Sequence, residues 1–450
     1  MCDNIMIEKA NSVVRLPRIT WLKTGNVLLI ILGISVLLRL GAAVVLGNEV
    51  VPLPGTFDQV SYHTLATRVL EGHGFTFGER WWPITEAGAP TAHWSFLYTM
   101  YLALVYKVAG VVPLLARLLQ AFIVGLVHPY LVYRIGTHCF DRMTGLIAAG
   151  LTAIYAYFAY YAGTLMTEPF YIIAVLAVLY LLIRLSESGS MKDALLLGVA
   201  VGVAVLLRQL FLLVAIPLFV WLWWSYYRQH TRIPLLQTVA VGVIVALFIL
   251  PFTLYNYVRF DQFVLLNTNS GYAFFWANHP IYGTHFEPIL PPEMGSYEGL
   301  IPTELRGLDE AALDKELLDR GLRFVADDPV RYIQLSISRI PAYFIFWPSA
   351  ESGTVSNVAR VASFGLMWPL MLAGVIGVIL RSDRWQGLQS PIFLLLLFGS
   401  LYTMIHLLSW SLVRYRLPVD AVLLVYAALS VRAAVTFVMR MRLRFLQPVS

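Results

Sequence analysis

Between Val27 and Gly47 the chain runs for 21 residues with a single charge, Arg39, and apolar runs of this kind return along its whole length. About 20 apolar residues in a helix match the roughly 30 Å hydrocarbon core of a bilayer. Backbone groups left unpaired in hydrocarbon are costly, and these runs lack the ten-residue alternation of barrel strands, so they are read as helices. Composition agrees: 59% of the 450 residues are hydrophobic and 13% charged, with a mean hydropathy of +0.71. The expected fold is an all-α polytopic membrane protein, one membrane domain over residues 1–450 with about ten transmembrane helices. The other spans are read near Pro113–Ile135, Thr144–Ala162, Pro169–Ile183, Ala194–Leu207, Leu210–Tyr226, Leu235–Val258, Val358–Leu380, Ile392–Trp410 and Leu417–Val438.

The net charge of +6 is scattered over short loops instead of forming a patch, which argues against a nucleic-acid partner. It reports topology. Arg134 and Arg142, Arg184 and Lys192, Arg228 and Arg232, Arg381 and Arg384, and Arg440, Arg442 and Arg444 mark every second loop as cytoplasmic, with both termini inside. Lys9, Arg15, Arg18 and Lys23 precede the first run, which is longer than a signal-peptide core and is read as a retained span. Cys2 and Cys139 fall in cytoplasmic segments, so no disulfide framework is expected.

Two large loops then lie on the exported side. Residues 48–94 contain an amphipathic stretch, Asp58–Leu70, expected as an interfacial helix. Counting the short apolar segment Trp94–Val108 as a span would reverse the charge pattern downstream, so it is expected to lie along the membrane. Residues 259–350 hold twelve acidic and seven basic residues and a helix-like stretch, Leu308–Ala326. The cytoplasmic loops are too short to build a site, so chemistry belongs on the exported side.

Ionisable residues in or at the ends of spans are Arg39, Arg117, Glu168, Arg208, Arg414, Arg416 and Asp420. Arg117, Glu168, Arg208, Arg414 and Arg416 fall towards the exported face, as does Asp58. A carboxylate beside several guanidinium groups at the lipid–water boundary suits a phosphate-bearing lipid and a hydroxyl that loses a proton. Plainer roles stand beside these. Asp58 is a favoured N-cap, Glu168 before Pro169 complements a helix dipole, and Arg416 can pair with Asp420 four residues on. Of the loop histidines, His93 is kept as a candidate substrate ligand. Asp58, Glu168, His63, His73 and His93 show no metal-ligand spacing, and a divalent metal is left open.

Five segments carry a resemblance: FDQVSYHTLATRVLEGHGF from Phe57, TLMTEPFY from Thr164, LLNTNSGYAFFWANHPIYG from Leu265, FVADDPVRYIQLSISRIP from Phe324 and RYRLPVDAVLL from Arg414. In that order they resemble the polyprenyl-phosphate-dependent C-type (GT-C) glycosyltransferases, in the branch of protein mannosyltransferases, aminoarabinose transferases and RgtA/B/C/D-like bacterial enzymes. The resemblance implies a GT-C-like bundle in a multi-pass inner membrane protein whose active site faces outward. It implies an inverting transfer from a polyprenyl-phosphate sugar donor to a hydroxyl of a glycan, lipid or protein acceptor. Asp58 then takes the place of the loop aspartate, and Glu168 that of a second acidic residue, as catalytic candidates. Where many relatives have an Asp-Glu pair, this chain has Asp58 and Gln59. Arg208, Arg414 and Arg416 are the expected substrate-binding arginines. A lipid-linked sugar flippase is the rival of another class, and would need polar residues through the bilayer midplane. A lipid-linked glycan ligase or polymerase would share the exported face and the arginines.

Overall fold

The computed structural model describes residues 24–53, 55–349, 353–380 and 387–446. The assignments for Cys2, Lys9, Arg15, Arg18, Lys23, Arg381 and Arg384, the loop end Ala350, and the side chains of Arg442 and Arg444 lie outside the described residues.

In chain order the helices are α1 (Thr24–Leu46), α2 (Asp58–Leu70), α3 (Phe96–Ala109), α4 (Pro113–Cys139), α5 (Arg142–Ile154), α6 (Ala156–Gly163), α7 (Glu168–Ser188), α8 (Met191–Leu207) and α9 (Phe211–His230). They continue as α10 (Leu235–Phe260), α11 (Ser270–Ala277), α12 (Glu310–Asp327), α13 (Pro329–Tyr343), α14 (Thr354–Arg360), α15 (Leu366–Ile379), α16 (Pro391–Leu408) and α17 (Val413–Leu446). Among the described residues, β pairing is limited to two isolated bridges, Thr76–Pro90 and Trp81–Thr85.

Eight helical segments are long and apolar enough to cross a membrane, α14 and α15 counting as one through a π turn at Val361–Gly365. A ninth is α5 with α6, bent by 54° at Tyr155. The tenth expected span is α8, whose 17 residues reach about 26 Å, short of the roughly 30 Å core. With 14 residues α3 is shorter still, and it packs on α2, α4 and α8.

The surface is apolar where a bilayer would cover it. On α10, Leu236, Val243, Leu247 and Val258 are each more than half exposed, a patch that would be costly against water and is neutral against lipid. The chain is a multi-pass membrane protein. Inside, α4 packs on α1, α5 and α7, and α17 on α5, α7 and α15. Helices in lipid gain little from hydrophobicity alone, so small residues set how closely they approach. At Gly374 an added Cβ would stand 2.0 Å from the Tyr426 carbonyl oxygen. The α15–α17 crossing therefore requires glycine.

α12 packs on α11 and α13, α13 also on α16 and α17, and Tyr272, Trp276, Leu313 and Leu317 of α11 and α12 belong to a small separate core.

Candidate active site

Each of four helix termini places one charged side chain at the same end of the bundle. α2 begins at Asp58 and α7 at Glu168, followed by Pro169, whose missing N–H costs nothing in a first turn. α8 stops at Leu207, leaving Arg208 extended at φ −149°, ψ 106° before α9. α17 begins at Val413, so Arg414 lies in its first turn.

Arg414 joins the set. Its Nη1 lies 2.7 Å from Asp58 Oδ2 and its Nε 3.6 Å from Glu168 Oε1. Arg208 Nη2 meets the same Glu168 oxygen at 2.5 Å. The Tyr415 ring sits between the guanidinium groups, 5.0 Å from that of Arg208 and 5.2 Å from that of Arg414. Two carboxylates and two guanidinium groups balance in charge, but they differ in access. Glu168 is sealed at 1% exposure, while the Asp58 side chain keeps 27%.

Asp58 does not act as a cap. The N-cap residue of α2 is Phe57, without a side-chain cap bond. The carboxylate is directed to Arg414. Nε of Arg414 is buried and faces Glu168 beyond hydrogen-bond distance.

The other expected residues fall elsewhere. Arg416, two residues beyond Arg414, is fully buried; its Nε donates to Asp420 Oδ1 at 3.0 Å and its Nη1 to the Tyr343 carbonyl at 2.6 Å. Phe364 covers its guanidinium at 3.4 Å. The structure thus separates Arg416 from the Asp58–Arg414 group and gives it the pairing role open to it in the sequence. His93 lies closer, within the electrostatic reach of Asp58, but is packed among Trp82, Trp94 and Tyr272. Burial lowers its pKa to about 4, against the smaller opposing pull of Asp58, so the imidazole is neutral at physiological pH. Among the described residues no group of three or more His, Cys, Asp or Glu side chains is placed to hold a metal.

Gln59, standing where relatives carry a second acid, is buried and accepts from Arg117 Nη2 at 3.2 Å while donating to the Val51 carbonyl at 2.6 Å. Arg117 also donates to the carbonyls of Leu46 and Gly47, both at 2.8 Å. A neutral amide here ties α2 to the ends of α1 and α4.

Sequence reasoning missed two carboxylates on α12. Glu310 accepts from Thr85, Thr268 and the Ala92 N–H, stapling the first loop to the second. Asp314 accepts from the Gly271 N–H at 2.8 Å and the Tyr272 N–H at 3.2 Å. Gly271 is needed because a Cβ would stand 1.7 Å from the Asp314 carbonyl oxygen. Glu310 is buried and Asp314 partly buried, and desolvation raises the pKa of each, that of Asp314 to about 7.

Residues 93–255 match the family model described as dolichyl-phosphate-mannose-protein mannosyltransferase. The fold is similar to the Archaeoglobus fulgidus oligosaccharyltransferase in its apo form, with a TM-score of 0.57 at 16% identity over 94% of this chain. The chain shares the fold of that archaeal membrane enzyme. It spans about half of that enzyme, covering 52% of its length. The same archaeal oligosaccharyltransferase, AglB, in complex with an inhibitory peptide and a dolichol-phosphate, matches at TM-score 0.57 and 17% identity over 95% of this chain and 52% of its own. ArnT from Cupriavidus metallidurans, bound to undecaprenyl phosphate, matches more loosely at TM-score 0.42 and 14% identity, over 95% of this chain and 82% of its own. No curated protein matches.

Proposed function

We propose that this chain is an inverting glycosyltransferase that moves a sugar from a polyprenyl-phosphate carrier to an acceptor hydroxyl on the exported face of the inner membrane. The observation that carries the reading is the meeting of Asp58, Glu168, Arg208 and Arg414 at one end of an apolar bundle. The dolichol-phosphate bound by the archaeal oligosaccharyltransferase supports a polyprenyl-phosphate donor.

In this mechanism the acceptor O–H attacks the anomeric carbon while the bond from that carbon to the phosphate oxygen breaks. The electron pair leaves with the carrier phosphate. Asp58, the more exposed carboxylate, takes the acceptor proton, and one displacement inverts the anomeric centre. Arg208 and Arg414 stabilise the departing phosphate with charge-assisted hydrogen bonds. Glu168 touches no substrate. Its carboxylate holds both guanidinium groups and is a positioning residue. Arg414 touches both halves, so it couples the base to the phosphate.

Replacing Asp58 with Asn keeps an acceptor atom for Arg414 but removes the base. Transfer from a labelled polyprenyl-phosphate sugar in reconstituted membranes is expected to fall roughly a hundredfold to ten-thousandfold, with carrier binding retained. Near-wild-type turnover by Asp58→Asn would remove Asp58 from the chemistry.

A further inference from the structure

The two exported loops border an open pocket of about 370 Å³, with Trp82 on one side and Leu290, Ser296, Tyr297 and Glu298 on the other. That volume is near the lower end for small-molecule sites. We propose that this pocket is an acceptor subsite that binds a neutral sugar unit, making the acceptor an oligosaccharide. The inference rests on the proposed glycosyl transfer and names its acceptor class.

The lining has the chemistry of a sugar. Trp82 is 44% exposed although its ring contacts Trp276 at 5.4 Å and His93 at 5.4 Å. Neighbouring rings thus fix the indole while leaving part of it open. A pyranose offers an apolar C–H face to such a ring and hydroxyls around its edge. At the wall, Glu298 is paired with Arg80 at 2.5 Å, and both side chains are about half exposed, at 40% and 53%. They can exchange hydrogen bonds with hydroxyls, and Arg80 also faces Glu86 at 3.6 Å, so the wall carries no excess positive charge. The lack of excess positive charge disfavours a phosphate, and the charged wall disfavours an acyl chain. The backing is rigid: Trp276 Nε1 donates to the Tyr297 carbonyl at 2.9 Å, and the Tyr297 hydroxyl accepts from the Leu290 N–H at 2.8 Å.

Aromatic contacts connect the pocket to the proposed base. Trp82 lies 6.1 Å from Trp94, and Trp94 lies 5.6 Å from Tyr62. Tyr62 stands one helical turn beyond Asp58 on α2. The pocket is therefore several ring contacts away from the attacking hydroxyl. In the proposed arrangement the acceptor presents one sugar to Asp58 and a more distant one to Trp82.

Saturation-transfer NMR on the full chain in detergent, with cellotriose, maltotriose and mannotriose as probes, tests this without requiring transfer. At least one trisaccharide is expected to show ring C–H contacts. Its affinity should weaken roughly tenfold in Trp82→Ala and recover in part in Trp82→Phe. Ser296→Phe, at an exposed loop position, should weaken it by filling the pocket while leaving the aromatic contacts alone. Unchanged affinity in both Trp82→Ala and Ser296→Phe overturns the proposal. So does the absence of a Trp82-dependent signal from all three probes, or a Trp82-dependent signal from a Ser/Thr peptide in their place. If trisaccharides bind through Trp82 but no sugar moves from the carrier, the transfer reading fails and the pocket stands.

Discussion

Arg414 and Arg416 stand two residues apart in one motif, and the helix turns them about 200° away from each other. Arg414 faces the ends of α2 and α7, touches carboxylates from both and keeps 11% exposure. Arg416 faces inward, where Asp420, the Tyr343 carbonyl and Phe364 close around it. The Asp420 carboxylate also accepts from the Tyr155 hydroxyl at 2.8 Å, at the bend between α5 and α6. The same residue type thus serves two ends. A guanidinium shared between two partners at a partly exposed boundary can be recruited by a ligand, whereas one sealed with its own counter-ion joins helices.

The largest expected effect would break this comparison if it failed. Arg416→Ala leaves Asp420 charged and buried, and removing one partner of such a pair costs about 3–5 kcal/mol. Replacing both at once, as Arg416→Met with Asp420→Leu, leaves no orphaned charge and should cost much less. Thermal unfolding of the purified protein checks the order. If Arg416→Ala keeps wild-type stability and instead loses carrier binding, Arg416 belongs with the ligand site.

Arg208→Ala and Arg414→Ala should show the opposite pattern. Each leaves Glu168 facing the other guanidinium, so stability changes less than in Arg416→Ala. Binding of a polyprenyl phosphate should weaken by about 1.5–3 kcal/mol in each, the scale of a hydrogen bond to a charged group. Unchanged lipid affinity in both variants would leave the phosphate without its proposed partners.

The convergence of Asp58, Glu168, Arg208 and Arg414 was legible because charges interrupting apolar runs stand out, and alternating basic loops assign each to a side. What separates Arg414 from Arg416 was not legible. The Tyr343 carbonyl arrives from α13 and Phe364 from the π turn before α15, and no periodicity of α17 announces either. Helix positions along the chain also followed from hydropathy. The bend at Tyr155 did not, because Thr144–Ala162 is apolar throughout. Glu310 and Asp314 were hidden differently. In a loop region with twelve acidic residues nothing local marks these two as bonded across the fold, since their partners come from Thr85, Ala92, Thr268 and the start of α11.

A smaller effect sharpens the contrast between carboxylates held by guanidinium groups and those held only by N–H and O–H donors. Asp314 belongs to the second kind, and burial raises its pKa from 3.8 to about 7, against the opposing bonds from Tyr272 and Gly271 and with a further upward push from Glu310. A carboxyl raised on folding stabilises most when protonated. Its contribution is fully present below the unfolded value near 3.8 and is lost as pH rises through about 7. The docking of α12 on α11 should therefore loosen between about pH 4 and 7 and change little above that, read as falling hydrogen-exchange protection at the Gly271 and Tyr272 amides after correction for intrinsic rates. Asp314→Asn keeps an oxygen for both N–H groups and cannot ionise, so its protection should fall less, with Glu310 supplying what pH dependence remains. Equal losses in the two proteins would place the titrating group elsewhere and leave Asp314 a hydrogen-bonding staple.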